Sequence, residues 1–311
     1  MKTVYQLRYM KQFSKIMVGL DLTKMDETLL SNIQTWAPIL GVEKVYFVHV
    51  AKDLSIPEEI SKNYPDLLAP VDEVIVRGIK HELEHFSFEP SFYEILVKEG
   101  NPMETVLRWC KIKDVDLLVM GRKKLLEGSG SLARNLAQKS PNSVLFIPES
   151  FENNHPSRIL VPLDFSEYSK LTLDLAKSLA LNVSAEVSCC HLYEVPAGYS
   201  KTGKSYKEFT GIMLENAKKD FEKFVSKHQL SGLSCEFILK EKQSEAKYII
   251  EHSKSMQADM VIIGSRGRTN SAAILLGSVA EKLIQLNTEV PTLILKKKGE
   301  NMSFLQALLK L

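Results

Sequence analysis

The chain has 311 residues, 44% of them hydrophobic and 25% charged, with a formal net charge of +2. That length suggests about two domains, and so small a charge surplus gives no reason to expect nucleic acid as a partner. No apolar run approaches the roughly 20 residues needed to cross a bilayer, so no membrane partner is expected. Residues 1–13 carry scattered charges and no apolar core, unlike a signal peptide. Four cysteines without C-x-x-C spacing fit a reducing cytoplasm. Cys189 and Cys190 fall in an apolar run and read as core.

In chain order, the first apolar run, 16–20, ends at Asp21, and its sequence returns at 159–163, ending at Asp164. The run 117–120, opened by Asp116 and closed by Gly121, returns at 260–263 between Asp259 and Gly264. Both pairs keep one offset, 159 − 16 = 259 − 116 = 143 residues, and His49 and His191 keep an offset of 142. A constant offset argues for duplication of a whole domain of roughly 140 residues rather than a short-repeat solenoid. The boundary falls in the polar, proline-flanked stretch 148–156, giving domains over 1–150 and 151–298. A tail over 299–311 ends in a short apolar helix that should dock on a domain or a partner.

The second half reads as strand 159–163, a helix capped by Ser166, strand 187–192, a polar loop to 207, and a helix over 209–227. Strand 234–239, helix 244–255, strand 260–263, a helix over 278–285 and strand 291–295 follow. The first half keeps the same order and ends in strand 143–147. Alternating strands and helices make parallel sheets with helices on both faces. The fold class is therefore α/β: two tandem Rossmann-like or flavodoxin-like domains, each with a five-stranded parallel sheet. The fifth strands would otherwise be exposed edges, so they are expected to meet across an internal pseudo-two-fold axis. Such an internal pseudo-dimer leaves further dimerisation open.

The most informative stretch is 259–278. A buried strand stops at Gly264, Gly267 follows two residues later, and Gly277-Ser278 opens a helix after nine more. Ser278 is the expected N-cap, with Glu281 as capping-box partner. Glycines let backbone approach a ligand, and free N–H groups at a helix N-terminus attract anions. The loop thus implies phosphate binding at the carboxyl end of a strand, where ligands of parallel sheets collect. Asp164 and Gly264 should face the same site. Arg266 and Arg268 either neutralise phosphates or keep the loop solvated.

The residues Val161-Pro-Leu-Asp-Phe-Ser166, His191-Leu-Tyr-Glu194, the strand 259–264, the G-x2-G-x9-G-S loop and Val290-Pro-Thr-Leu-Ile-Leu295 together resemble the universal stress protein family. The two halves resemble a tandem member of that family over nearly the whole chain. The resemblance implies a cytoplasmic stress-response protein binding ATP or ADP, with or without Mg. By the resemblance, Asp164 and Leu192 lie at the adenine and ribose. Gly264, Gly267, Gly277, Ser278 and the Val279 N–H hold ribose and phosphates, with Pro162, Leu163, Ile263 and Arg268 flanking them.

The first half departs from this pattern. Lys123 and Lys124 follow Arg122, a lysine replaces the second glycine, and Gly130-Ser131 arrives nine residues after Gly121 where the second half takes thirteen. If the second glycine needs a positive φ, Lys124 is restricted there, and lysine charge would then stand in for glycine backbone. Nucleotide is expected in the second half alone, as a ligand that orders the loop 264–277 rather than as fuel. No nucleophile–base pair and no carboxylate pair for metal-assisted hydrolysis is visible. His81-Glu-Leu-Glu-His85 fits a zinc-pair spacing, with Glu104 downstream, but falls inside a repeat already explained and has no counterpart in the second half. His49 and His191 read as core histidines. The competing readings are a non-nucleotide scaffold with an unidentified protein partner, or a slow ATPase.

Overall fold

The computed structural model describes residues 13–55, 71–124, 129–152, 155–230, 232–268 and 275–300. The expected tail helix therefore lies outside the described residues. The described residues form two units: 13–152 with 297–300, and His155–Lys296.

In the first unit the elements run β1 (Lys15–Leu20), α1 (Met25–Leu40), β2 (Lys44–Ala51), α2 (Val71–Glu84), β3 (Tyr93–Glu99), α3 (Pro102–Ile112), β4 (Leu117–Arg122), α4 (Ser129–Lys139) and β5 (Ser143–Pro148). The strands are all parallel and ordered β3-β2-β1-β4-β5. Apolar residues fill β1, β4 and β5 almost without a break, as strands covered on both faces require. Asn101 caps α3 by accepting the Glu104 N–H, with Pro102 in the first helical position. Gly41 closes α1 in the left-handed region at φ 74°, where its N–H reaches the last-turn carbonyls. Phe151 packs edge-on against Trp36 and so holds the outgoing chain on this unit. Lys298 joins the same unit through carboxylates of Asp114 and Asp116, at 3.1 and 3.0 Å. The second unit runs to Lys296.

The second unit repeats the plan: β6 (Arg158–Pro162), α5 (Glu167–Val183), β7 (Glu186–Glu194), a short 3-10 turn (Ala197–Thr202), α6 (Tyr206–His228), β8 (Cys235–Lys240), α7 (Glu245–Ser255), β9 (Met260–Gly264), α8 (Ser278–Leu286) and β10 (Thr292–Leu295). Its strands are parallel in the order β8-β7-β6-β9-β10. The helix expected from 209 starts three residues earlier. Ser205 and Glu208 form a complete capping box there, a signal present in the sequence as S-x-x-E. Ser166 caps α5 as expected, accepting the Ser169 N–H.

Both units share the same fastenings. Asp116 accepts from the Lys15 N–H and the Ser14 hydroxyl, and Asp259 accepts from the N–H groups of Ser157 and Arg158. Each aspartate thus ties the start of the fourth strand to the start of the first. His49 and His191 each donate from Nδ1 to a carbonyl at the carboxyl end of the first strand, that of Leu20, the last residue of β1, and of Leu163, just past β6, at 3.0 and 2.7 Å. They are structural, as their strand setting predicts. The thiols of Cys110, Cys189, Cys190 and Cys235 are all pushed up by burial and stay protonated.

One buried acid makes the first unit sensitive to pH. Asp26 is 8% exposed and accepts the N–H groups of Asp21 and Leu22. Burial outweighs those two bonds and pushes its carboxyl up to about 6. Between the ordinary carboxylate range and that value, the folded chain holds a proton that the unfolded chain has lost. The stabilisation is therefore full below about pH 4 and is lost as pH rises through about 6. A shift of this size corresponds to about 3 kcal/mol. Urea unfolding of the wild type and Asp26→Asn at pH 4 and pH 7 should show the variant gaining about that much relative to the wild type across the window. A difference independent of pH would show that Asp26 ionises normally.

Candidate functional site: a cleft at the strand-order reversal

In the second unit the strand order reverses between β6 and β9, and the crevice beyond their carboxyl ends opens into a cleft of about 720 Å³. From β6 come Pro162 and, just past it, Leu163 and Asp164; from β7 comes Leu192; from β9 come Ile263 and Gly264. Gly267, Arg268 and Gly277 line it from the loop, and Ser278 and Val279 from the first turn of α8. All eleven residues singled out from the sequence thus lie on one cleft. Residues 269–274, the middle of the loop whose ordering by nucleotide was expected, lie outside the described residues.

Asp164 is the hinge of this arrangement. Its Oδ1 accepts from the Ser166 N–H at 3.0 Å and the Ser169 hydroxyl at 2.8 Å, bridging over Phe165. Its Oδ2 accepts the Arg268 N–H at 2.9 Å, so the carboxylate joins the end of β6 to the loop after β9. A Cβ on Gly267 would stand 2.4 Å from that Oδ2. Gly267 is therefore glycine for close approach. It is not among the residues with positive φ, so the expected handedness argument against Lys124 does not apply. Gly264 is similarly constrained, because its Cβ would meet the Tyr168 Cβ at 2.7 Å.

The helix start differs from expectation. Gly277, not Ser278, is the N-cap, with an extended backbone at φ −67° and ψ 148° and no side-chain cap. Its carbonyl accepts the Glu281 N–H at 2.9 Å, which makes Ser278 the first helical residue. The early N–H groups of a helix have no intrahelical acceptor, and Ser278, Val279 and Ala280 stand on the cleft wall. The positive end of the α8 dipole therefore faces the cleft. Arg268 does not reach across it. Its Nε donates to the Asp164 carbonyl at 2.6 Å, and its guanidinium lies over the Phe165 ring at 5.9 Å.

Phe165 itself holds a left-handed conformation at φ 62°, and Leu22 does the same at 60° in the first unit. For residues this bulky such a backbone costs of order 1–3 kcal/mol and needs surroundings that enforce it. The Phe165 ring stacks on His191 with centroids 4.2 Å apart. Burial depresses the His191 pKa, so the imidazole is kept neutral.

The far wall of the cleft carried no sequence motif. Lys240, the last residue of β8, bonds Glu194 at 2.8 Å and Glu245 at 2.5 Å. Those two hydrogen bonds hold its ammonium above the ordinary lysine range. Met213, Asn216 and Asp220 of α6 also line this side. The rule that ligands gather at strand carboxyl ends, already applied to Asp164, would have found Lys240; nothing in the sequence singles out the α6 residues.

The first unit has a smaller cleft of about 330 Å³ in the matching place. There Lys123 replaces the loop backbone: its ammonium meets Asp21 Oδ2 at 2.5 Å and Thr23 Oγ1 at 2.7 Å. Elsewhere, the rings of His81 and His85 are 5.2 Å apart on an exposed face. Among the described residues no group of three or more metal-ligating side chains occurs. No helix among them is long and apolar enough to cross a membrane.

Duplicated parallel α/β units, each with a cleft beyond the carboxyl ends of its strands where the strand order reverses, define a tandem Rossmann-like protein. The chain belongs to the universal stress protein family, whose model matches residues 12–148 and again 156–296. Single-domain relatives match about half of it. The Universal stress protein YxiE of Bacillus subtilis is 31% identical over 148 residues, covering 45% of this chain and 99% of its own. The Universal stress protein MJ0577 of Methanocaldococcus jannaschii is 28% identical over 167 residues, covering 46% of this chain and 96% of its own. A crystal structure of a universal stress protein from Archaeoglobus fulgidus shares the fold over 92% of this chain and 99% of its own, with 18% identity and a TM-score of 0.60.

If close approach to Asp164 is what keeps position 267 a glycine, Gly267→Ala should cost about 1–3 kcal/mol through overpacking. Gly277→Ala should cost under about 1 kcal/mol, since that Cβ would meet Ser265 O at an ordinary 3.4 Å. Urea denaturation of both variants measures the contrast. Equal costs would show that the Asp164 contact does not select glycine.

Proposed function

We propose that this protein is a cytoplasmic stress-response regulator that binds ATP or ADP in the cleft of its second unit, with little or no hydrolysis. The observation that carries this reading is the convergence of Asp164, the loop glycines and the side-chain-uncapped start of α8 on one cleft. Open N–H groups and a helix dipole suit phosphates. The apolar strand ends Pro162, Leu163 and Ile263 suit the face of a base. A volume of about 720 Å³ falls within the usual range for small-molecule sites.

The same geometry argues against fast turnover. A general base for water needs a free acceptor in reach of the phosphate. Asp164 is committed to Ser166, Ser169 and Arg268, and His191 is packed under Phe165 with its Nδ1 donating to Leu163. The first unit has less than half the cleft volume, and Lys123 holds its Asp21, so one nucleotide per chain is expected.

Calorimetric titration with ATP should give a stoichiometry of one, and a hundredfold excess over Kd should stabilise the protein by about 2.7 kcal/mol. Gly277→Val should weaken binding at least tenfold, because branched bulk at the N-cap crowds the phosphate-facing turn. Two equivalent sites, or unchanged affinity in that variant, would refute the assignment. Phosphate release near one per second, an ordinary enzyme rate, would show that the protein is an ATPase.

A further inference from the structure

The cleft of the first unit is chemically different from its counterpart. Comparison at the repeat offset shows polar wall residues exchanged for apolar ones: Thr172 by Leu29, Glu245 by Pro102 and Tyr168 by Met25. Leu20, Val48, Val106, Met120 and Leu136 complete an interior with no charged side chain. Charge stands only at the mouth, where the Lys123 side chain is 13% exposed and its partner Asp21 is 52% exposed. His49, also at the mouth, has its Nδ1 committed to the Leu20 carbonyl. A cavity of about 330 Å³ is at the small end of the range for small-molecule sites, too large for packing noise and too small and apolar for a nucleotide.

We propose that this cleft binds a free medium-chain carboxylic acid, with its hydrocarbon chain in the apolar interior and its carboxylate on Lys123. The head group fits because Lys123 is nearly buried and must keep an anionic partner. Asp21 is half exposed and loses little by turning to water when a ligand carboxylate takes its place. The chain fits because each methylene moved from water into this lining is favourable, which tightens binding about fourfold per CH2 until the cavity is filled. The methionines Met25 and Met120, flexible and polarisable, let the walls adapt to different chain lengths.

The experiment is a binding series with butanoate, hexanoate and octanoate on the full chain, read by NMR of 13C-labelled methionine methyl groups. The expected result is saturable shifts at Met25 and Met120, affinity rising about fourfold per CH2, and octan-1-ol binding at least tenfold more weakly than octanoate. Lys123→Gln, a change at the mouth that leaves the core intact, should abolish the preference for carboxylate over alcohol. Val106→Trp should block binding of both. If Val106→Trp does not fold, the Lys123→Gln arm decides alone. Affinity independent of chain length, an undiminished carboxylate preference in Lys123→Gln, or shifts at Met213 of the other cleft in place of Met25 and Met120 would each overturn the proposal.

Discussion

The second unit's cleft depends on one contact, the bond between the Asp164 carboxylate and the main-chain N–H of Arg268. Together with the bond from Arg268 Nε to the Asp164 carbonyl, it fixes the loop after β9 to the end of β6. The bond is possible only because position 267 lacks a Cβ. It also explains why Arg268 turns back over Phe165: the residue whose N–H is held by Asp164 starts beside the α5 N-terminus, and its Nε finds the Asp164 carbonyl. A charge-assisted bond of this kind is among the stronger ones a loop can make. The first unit solves the same problem by different chemistry. Asp21 again holds the loop after the fourth strand, but through the Lys123 ammonium rather than a peptide N–H. A side-chain partner does not require glycine, which is why that loop tolerates lysines where the second has Gly267.

Duplication thus separated scaffold from site. The devices that build the sheet are the same in both units: aspartates 116 and 259 tying strand starts, histidines 49 and 191 tying strand ends, and a left-handed residue after each Asp21 and Asp164. The residues that face the clefts differ in polarity and size. A sheet fastened at the starts and ends of its inner strands leaves the carboxyl-end loops free to change without disturbing the core.

The repeat and the succession of strands and helices in each unit were legible because they rest on long apolar runs at one offset, a signal packing cannot easily override. The sequence singled out the loop glycines, which line one cleft, but it did not show what holds position 267 to glycine. Sequence could suggest that Gly267 served handedness; only the position of Asp164 shows that it serves proximity. The helix start was misread by one residue because Ser278 and Glu281 satisfy a capping-box pattern, while the chain lets Gly277 take the cap and spends no side chain on it. The opposite error hid the true capping box of Ser205 and Glu208, which lay in a stretch rich in lysine and glycine and read as loop. Lys240 meets Glu245 five residues on but also Glu194 from β7, and no local pattern encodes that second meeting.

The turn after the first strand shows how a single side chain sets the electrical character of each cleft. In the first unit Asp26 accepts the N–H groups of Asp21 and Leu22 that the left-handed turn exposes. In the second unit the equivalent residue is Ser169, whose hydroxyl accepts the Asp164 N–H and donates a hydrogen bond to Asp164 Oδ1. A carboxylate at 169 would put a second negative charge against Asp164, and like charges that close cannot both stay ionised. The hydroxyl satisfies the same backbone N–H and donates to the carboxylate that grips the loop. The consequence is a difference in response to acid. Asp26 favours the folded first unit at low pH, whereas neutral His191, depressed by burial beneath Phe165, costs the second unit stability as pH falls below the ordinary histidine range. Acid therefore loads its strain on the unit that carries the glycine loop, beside the very turn on which that loop is hung.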